Sequence, residues 1–483
     1  MHTFDSLALT LRRLDPSQAP ADLPDLVSQL DPSQLLSVWA GPDFAAHPQP
    51  TLVGEGAALA LVAAPAPPPG VYVDESITTS TLINPSRDDV MGLLSARDHV
   101  PGDQVRQQPQ FSRISRRWQQ VVSQATLADE GGHGPSLVAA GLTLPVAFIS
   151  FGFGPHTPAV AVLPRRTWIN FAGEWFVLTA QVNADSVPES VPAGSQPHPV
   201  SGTPVSGAPA PALGSVALTP GTMRRSRWKA AVADVIAEIR SGAAQKVVMA
   251  RDLNVQSQQP LALNQMVSNL HAANPSCWVF AVAGLVGASP EMLASVRGQE
   301  VHSRVLAGTC RPGEGELLMR SDKDREEHAL AVSSVTGALE SMTRTLQADA
   351  APFLLDLAHV THLATDISGH LESSRGLCDV LAQLHPSAAV CGTPTQDAFE
   401  ILAAFEATDR GRYCGPVGWM DATGAGACAI ALRCGQLDAG GTSIRLFAGG
   451  GIMPTSDPDA ELAETQAKMA AMLETLGVGS QPN

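Results

Sequence analysis

The chain has no run approaching the ~18 uninterrupted apolar residues that a membrane helix requires. Its most apolar early stretch, 57–66, is short and runs into Pro65, Pro67, Pro68 and Pro69. A basic segment followed by an apolar one, the mark of a secretion signal, is also missing at the N-terminus, where Asp5 comes early and Arg12 and Arg13 interrupt the first apolar stretch. Cysteine is sparse and unpatterned: the 7 residues, Cys277, Cys310, Cys378, Cys391, Cys414, Cys428 and Cys434, include no C-x-x-C pair and no clustering with histidine that would suggest zinc. They are read as small buried hydrophobes in a reducing cytosol. Positive charge is short as well, with 30 Lys+Arg against 46 Asp+Glu and a formal charge of −16, which argues against nucleic acid or an anionic membrane surface as partner. An acidic protein that binds an anion must gather cations locally, through a metal ion, a few Lys or Arg, or clustered backbone N–H groups. The G-x-G-x-x-G fingerprint is absent from both Gly-rich pieces of the first half, VGEGAAL at 53–59 and SFGFGP at 150–155, so these are read as turns rather than a dinucleotide site. There is no internal repeat.

With 44% hydrophobic residues among 483, there is enough apolar material for one large core or two ordinary ones. From 184 to 222 the composition turns to Pro, Ser, Gly, Ala and Val, which predicts a surface loop or linker. It separates an N-terminal part, 1–183, from a C-terminal part, 223–480. The first mixes short strand-like runs (52–53, 71–73, 146–151, 159–163) with a helical run at 111–125. In the second, helices are expected at 227–240, about 322–346 and 459–476, the last with Asp457 as N-cap and Pro458 in its first turn. Strands are expected at 246–254, 278–286, 415–421, 427–436 and 443–448, with a hairpin over ASPEMLASVRGQEVHSRVLAGT. Strands in runs with helices irregularly interspersed predict an α+β fold with antiparallel sheets.

Two of these helices carry paired acids. In KDREEHALAV, Asp324 and Glu327 are spaced i, i+3; in AELAETQAKM so are Glu461 and Glu464, with Lys468 one turn further. A solvated helix face looks the same. Brought together, however, two such faces would form an oxygen-rich site for Mg²⁺, a hard ion that keeps waters and takes one or two carboxylates plus substrate oxygens. Just before the second helix, RLFAGGGIMPTSDP runs a strand into Gly449, Gly450 and Gly451, where backbone N–H groups are expected to approach an anion.

Across some 250 residues the C-terminal part resembles the chorismate-utilising enzymes. The motifs QKVVMAR, GASPEML, VLAGT, KDREEH, HLAT, LHPSAAVCGTP, DRGRYCGPVGW, IALRC, LFAGGGI and ELAET with its lysine stand in order and at similar spacing. That family includes isochorismate, salicylate, anthranilate and aminodeoxychorismate synthases. The resemblance implies a single α+β domain, the aminodeoxychorismate synthase-like fold, with two packed antiparallel β-sheets, outer helices, and strands supplied by 1–183. It also implies Glu327 and Glu464 as Mg²⁺ ligands with Glu461 and Asp324 nearby. Arg433, Tyr413, Gly449 and Lys468 would hold the carboxylates of chorismate, and Gly308, Thr309 and Ala389 would line its ring. A dianion could then enter an acidic protein because Mg²⁺, Arg433 and Lys468 reverse the sign locally. AGGGI departs from the family's common AGAGI at Gly450.

Which product is made turns on individual residues. Members that add water at C2 of the ring carry Lys at the position of Lys246, and those that add ammonia carry Gln. Water is a poor nucleophile and needs a base, which a lysine of lowered pKa can provide. Glu291 in GASPEML would be the general acid that protonates the departing C4 hydroxyl, since a carboxyl in an apolar pocket keeps its proton near neutral pH. Ala307 excludes the lysine nucleophile used by one group of aminodeoxychorismate synthases. A Cys-His glutaminase pattern is missing, so no glutaminase subunit is expected. HLAT and LHPSAAVCGTP look like the isochorismate synthases, where salicylate synthases tend to carry HLGS and a Phe-Pro. The expected reaction is therefore the cytoplasmic, Mg²⁺-dependent conversion of chorismate to isochorismate, which feeds menaquinone, catechol siderophores or salicylate; salicylate synthesis, which adds pyruvate elimination, is the rival, and a non-catalytic chorismate-binding subunit the more distant one. His362 and His385 fall inside the motifs, and a satisfied structural role is the plainer reading of each; the same holds for His359 with His362 against metal ligation. The number of chains in the assembly is left open.

Overall fold

The computed structural model describes residues 6–42, 49–63, 79–95, 109–155, 157–183, 216–357, 360–373 and 375–478. The strand expected at 71–73, His359, and 184–215 of the Pro-rich segment lie outside them. The described residues form an α+β fold of two large sheets with helices on their outer faces.

The first sheet has 13 strands. Its site-bearing edge runs Val216–Pro220, Lys246–Ser257, Ser443–Ile452, Cys434–Leu437, Leu285–Ser289, Trp278–Val282. It continues into strands of the first half, beginning with Leu36–Ala40 and Thr51–Glu55. The second sheet has 11 strands, with Thr361–Leu371, Glu300–Cys310, Met292–Arg297, Gly426–Ile430 and Pro416–Met420 followed by Ala147–Ser150 and Ala159–Leu163. Strands from both halves of the chain therefore share each sheet. Pairing is antiparallel throughout these runs; Ser6–Arg13 with Ala125–Glu130 is a parallel pair at the far edge of the first sheet.

Strands such as Leu36–Ala40 and Trp278–Val282 are buried at every position because both faces are covered. Trp39, Trp278, Phe280 and Val282 point into the core shared with the second sheet. Val38, Ala40, Val279 and Ala281 point the other way, into a core under helices Leu23–Ser28 and Leu263–Ala273. Helices Pro109–Val122, Leu377–Leu384 and Asp322–Glu340 cover the second sheet.

Several expected boundaries move, each for a local reason. The run 278–286 is a hairpin, turning at Ala283 (φ 47°) and Gly284 (φ 78°), two positive-φ residues that match strand twist. The run 427–436 is two strands in different sheets, because the chain crosses between them at 431–433 with Arg433 at φ 45°. The helix expected to reach 346 ends at Glu340; Thr343–Ala348 instead pairs with Thr361–Leu371, as alternating β-branched threonines favour. The helix expected to reach 125 ends at Val122, and Ala125–Glu130 takes the sheet edge. At the end of the Pro-rich segment, Val216–Pro220 is an edge strand on Lys246–Ser257, a place where Pro220 has no ladder to break. Asp457 does cap the last helix, accepting from the N–H groups of Asp459 and Ala460.

The strand that carries Lys246 is clamped by a buried ion pair. Arg410 and Glu406 meet at 2.6 Å, with side chains 2% and 4% exposed. Arg410 donates to the carbonyls of Val390 (2.7 Å) and Val248 (2.6 Å), and Glu406 accepts from the Ala250 N–H at 2.6 Å. Removing one member leaves the other as a buried unpaired charge, which costs about 3–5 kcal/mol. Glu406→Ala is thus expected to lower unfolding free energy by about that amount in urea titration; a loss below about 1 kcal/mol would show that the pair is not clamping the strand.

Candidate active site

One cavity of about 200 Å³ lies between the two sheets. Lys246 reaches it from the first strand position after helix Arg225–Arg240, and is 5% exposed. Glu291 reaches it from the link in which Leu285–Ser289 of the first sheet passes to Met292–Arg297 of the second, and Arg433 from the return crossing. The two crossings are stitched together: the Ile430 N–H donates to Glu291 O (3.0 Å), the Ala288 N–H to Arg433 O (3.2 Å), and Ser289 Oγ to Ile430 O (2.6 Å). The cavity also takes in Glu327 and Asp324 at the start of helix Asp322–Glu340, Glu461, Glu464 and Lys468 on helix Pro458–Thr475, and Gly308, Thr309, Ala389, Tyr413 and Gly449. Every site residue expected from the sequence is brought to this one place.

Its charges are arranged in pairs. Lys246 Nζ lies 2.7 Å from Glu327 Oε1, and Lys468 Nζ 2.6 Å from Glu464 Oε1. Lys468 also donates to the Gly449 carbonyl at 2.9 Å. Burial works against the charge on Glu464, yet the Lys468 ammonium, helped by Arg433 and Lys323, holds its carboxyl below the usual range. Burial and the neighbouring Glu464 push Glu461 up; Ser456 donates to its Oε1 at 2.6 Å, whereas its buried Oε2 has no hydrogen-bond partner among the described residues. Burial also raises Glu291, to about 8, against the pull of the Leu306 N–H, Lys246, Arg433 and Lys468. One carboxyl of the cavity is thus protonated at neutral pH while another is kept ionised, the separation that acid catalysis and cation binding require of a shared site. Burial lowers Arg433, whose guanidinium makes no hydrogen bond to the described residues and faces the cavity.

The glycines act otherwise than expected. Gly449, Gly450 and Gly451 are not a turn at a helix N-terminus; they lie within the strand Ser443–Ile452, paired with Ala250, Met249 and Val248. What they supply is space. A Cβ on Gly451 would lie 2.7 Å from Lys246 Cε and 3.2 Å from Glu327 Oε1, and one on Gly450 2.8 Å from Glu461 Oε2. The departure at Gly450 therefore clears room for Glu461. Gly308 adopts φ 77° at a register shift between Glu300–Cys310 and Thr361–Leu371, a bulge that re-aims the end of its strand. Thr309 there meets His362 Nδ1 at 3.0 Å. His362, expected to be structurally satisfied, instead lines the cavity with its buried Nε2 unpartnered among the described residues, and burial lowers it to about 3, so it is neutral. His385 is structural: its Nε2–H donates to the carbonyls of Gly152 (3.1 Å) and Phe153 (2.9 Å), tying SFGFGP to the loop that carries Ala389. Sequence reasoning missed Lys323 at the mouth, and Phe447, which stacks on Tyr413 at 5.0 Å. Lys323 was visible as the residue beside Asp324; the stacking had no signal.

The family of chorismate binding enzymes matches residues 87–477, and the chain belongs to it. It is 35% identical to the isochorismate synthase DhbC of Bacillus subtilis over 272 residues, 52% of this chain and 68% of that protein. It is 33% identical to the vibriobactin-specific isochorismate synthase of Vibrio cholerae over 268 residues, covering 52% and 67%. Its fold is similar to that of MenF, the menaquinone-specific isochorismate synthase of Escherichia coli, with a TM-score of 0.68 and 20% identity over 98% of this chain and 95% of that one.

Gly451→Ala tests the role of bare backbone here. The added methyl must displace Lys246, so kcat is expected to fall at least ~10-fold while the melting temperature stays within a few degrees; unchanged kcat would mean that Lys246 needs no such clearance.

Proposed function

We infer that the chain is an isochorismate synthase, moving a hydroxyl from C4 to C2 of chorismate by adding water and expelling the old hydroxyl. The observation that carries this reading is the convergence of Lys246, Glu291, Arg433 and the paired carboxylates on one cavity, in which burial pushes Glu291 up to about 8.

The donor set fits Mg²⁺. Glu464 and Glu461 lie side by side with Glu461 Oε2 buried and unpartnered among the described residues, a costly arrangement unless a cation approaches it. Among the described residues no three His, Cys, Asp or Glu form a ready-made cage, so an ion here would have to draw its remaining oxygens from water and substrate. Glu327 and Glu464 would hold it, with Glu461 and Asp324 nearby. When bound it would act as a Lewis acid on a substrate carboxylate.

The chain's own residues then divide the work. Arg433, Lys468, Tyr413 and the backbone at Gly449 bind the two carboxylates, and Gly308, Thr309 and Ala389 shape the wall against the ring. Lys246, as the free amine once its own proton has left, takes a proton from the attacking water. Glu291 gives its proton to the C4 hydroxyl, which leaves as water. The nucleophile is water, so no ammonia-supplying partner is required. All seven cysteines are free thiols, as suits a reducing compartment, and we propose a cytoplasmic enzyme that supplies isochorismate to menaquinone or siderophore synthesis.

The test is kinetic. Lys246→Gln and Glu291→Gln are each expected to lower kcat by ~10²-fold or more with the KM for chorismate changed only a few-fold. In the wild type, the alkaline limb of the kcat/KM profile should fall as pH rises through about 8, where Glu291 loses its proton. Loss of binding in step with rate would make Lys246 or Glu291 a structural residue, and a profile flat to pH 10 would remove Glu291 as the acid.

A further inference from the structure

Behind Glu291 lies a second, much smaller cavity, about 10 Å³, which shares Glu291 and Ala389 with the active site. It has room for about one water. Its walls are largely apolar, with Leu293, Val305, Ala331 and Val335 among them. Three groups other than Glu291 are polar. Arg304 is engaged by both oxygens of Asp366, at 2.6 and 2.7 Å. Ser303 Oγ donates to Leu293 O at 2.8 Å and keeps lone pairs to accept with. Ser387 Oγ is buried and has no hydrogen-bond partner among the described residues. A buried hydroxyl left unpaired is costly. Here it belongs to a residue lining the same one-water chamber as the proposed acid.

We propose that one water in this chamber, held by Ser387 and Ser303, donates a hydrogen bond to Glu291 from the side away from the substrate, making Ser387 a positioning residue for the acid. This rests on Glu291 being the acid. The Leu306 N–H already acts on the Glu291 carboxyl; the water adds a second donor, which fixes the carboxyl as its proton is delivered and steadies the carboxylate once the proton has left. The charged groups in front of Glu291 are Lys246, Lys468 and Arg433, with the Cys414 thiol beside it, and Arg304 with Asp366 lies at the rear. All stay in place when Ser387 is changed, so a shift on its substitution reports the water.

Ser387→Ala removes the anchor and Ser387→Thr keeps a hydroxyl. The alanine variant is expected to lose ~10-fold in kcat with KM unchanged, and to carry the alkaline limb of its pH profile to higher pH, because a carboxylate that loses a donor is harder to ionise. The threonine variant should restore both. A crystal structure of the wild type should show the water touching Ser387 Oγ and Glu291. Wild-type kcat and an unmoved limb in Ser387→Ala, or equal impairment in the alanine and threonine variants, would overturn the proposal. Glu291→Gln in parallel separates the two claims: if it is inactive while Ser387→Ala is normal, only the chamber's role falls, and if it is active the acid itself is misassigned.

Discussion

Two of the crossings by which the chain leaves one sheet for the other, at Pro290–Glu291 and at 431–433, hydrogen-bond to each other. Strands on either side are fixed in their ladders, so neither crossing can drift without breaking both sheets. A crossing is also where a backbone passes between two cores, which is why Glu291 is buried and its proton retained. Arg433, at positive φ, is turned into the same space. Glu291 and Arg433 are therefore set by the joining of the sheets rather than by any loop.

Around that fixed pair the charges are balanced locally. Lys246 and Lys468 each hold a carboxylate, and helices Asp322–Glu340 and Pro458–Thr475 bring those carboxylates in from different directions. A protein with a formal charge of −16 thus presents a site in which cations and anions alternate over a few ångströms. The bare glycines of Ser443–Ile452 make this possible: a side chain at Gly451 would meet Lys246 and Glu327, one at Gly450 would meet Glu461, and one at Gly449 would meet the Met249 carbonyl and the Tyr413 hydroxyl. Packing, not backbone freedom, explains their presence.

Much of this was legible in the sequence. The i, i+3 acids fell on helices, Asp457 capped its helix, and the ordered motifs converged on one cavity. Illegible were features that depend on what lies across the fold. Strands covered on both faces show no alternation, so the hairpin at Ala283–Gly284 and the sheet change before Arg433 looked like continuous runs. Glycines in a ladder and glycines in a turn have the same sequence. The orphan Nε2 of His362 depends on a bulge at Gly308, and the chamber behind Glu291 depends on Ser387, some hundred residues away in sequence. Such signals exist only once the register is known.

The most direct measurement of the central claim is product analysis: purified protein incubated with chorismate and Mg²⁺, with and without EDTA, and the products separated by chromatography. Isochorismate without pyruvate or salicylate, formed only when Mg²⁺ is available, is the result predicted. Salicylate with equimolar pyruvate, or no turnover at all, would contradict it.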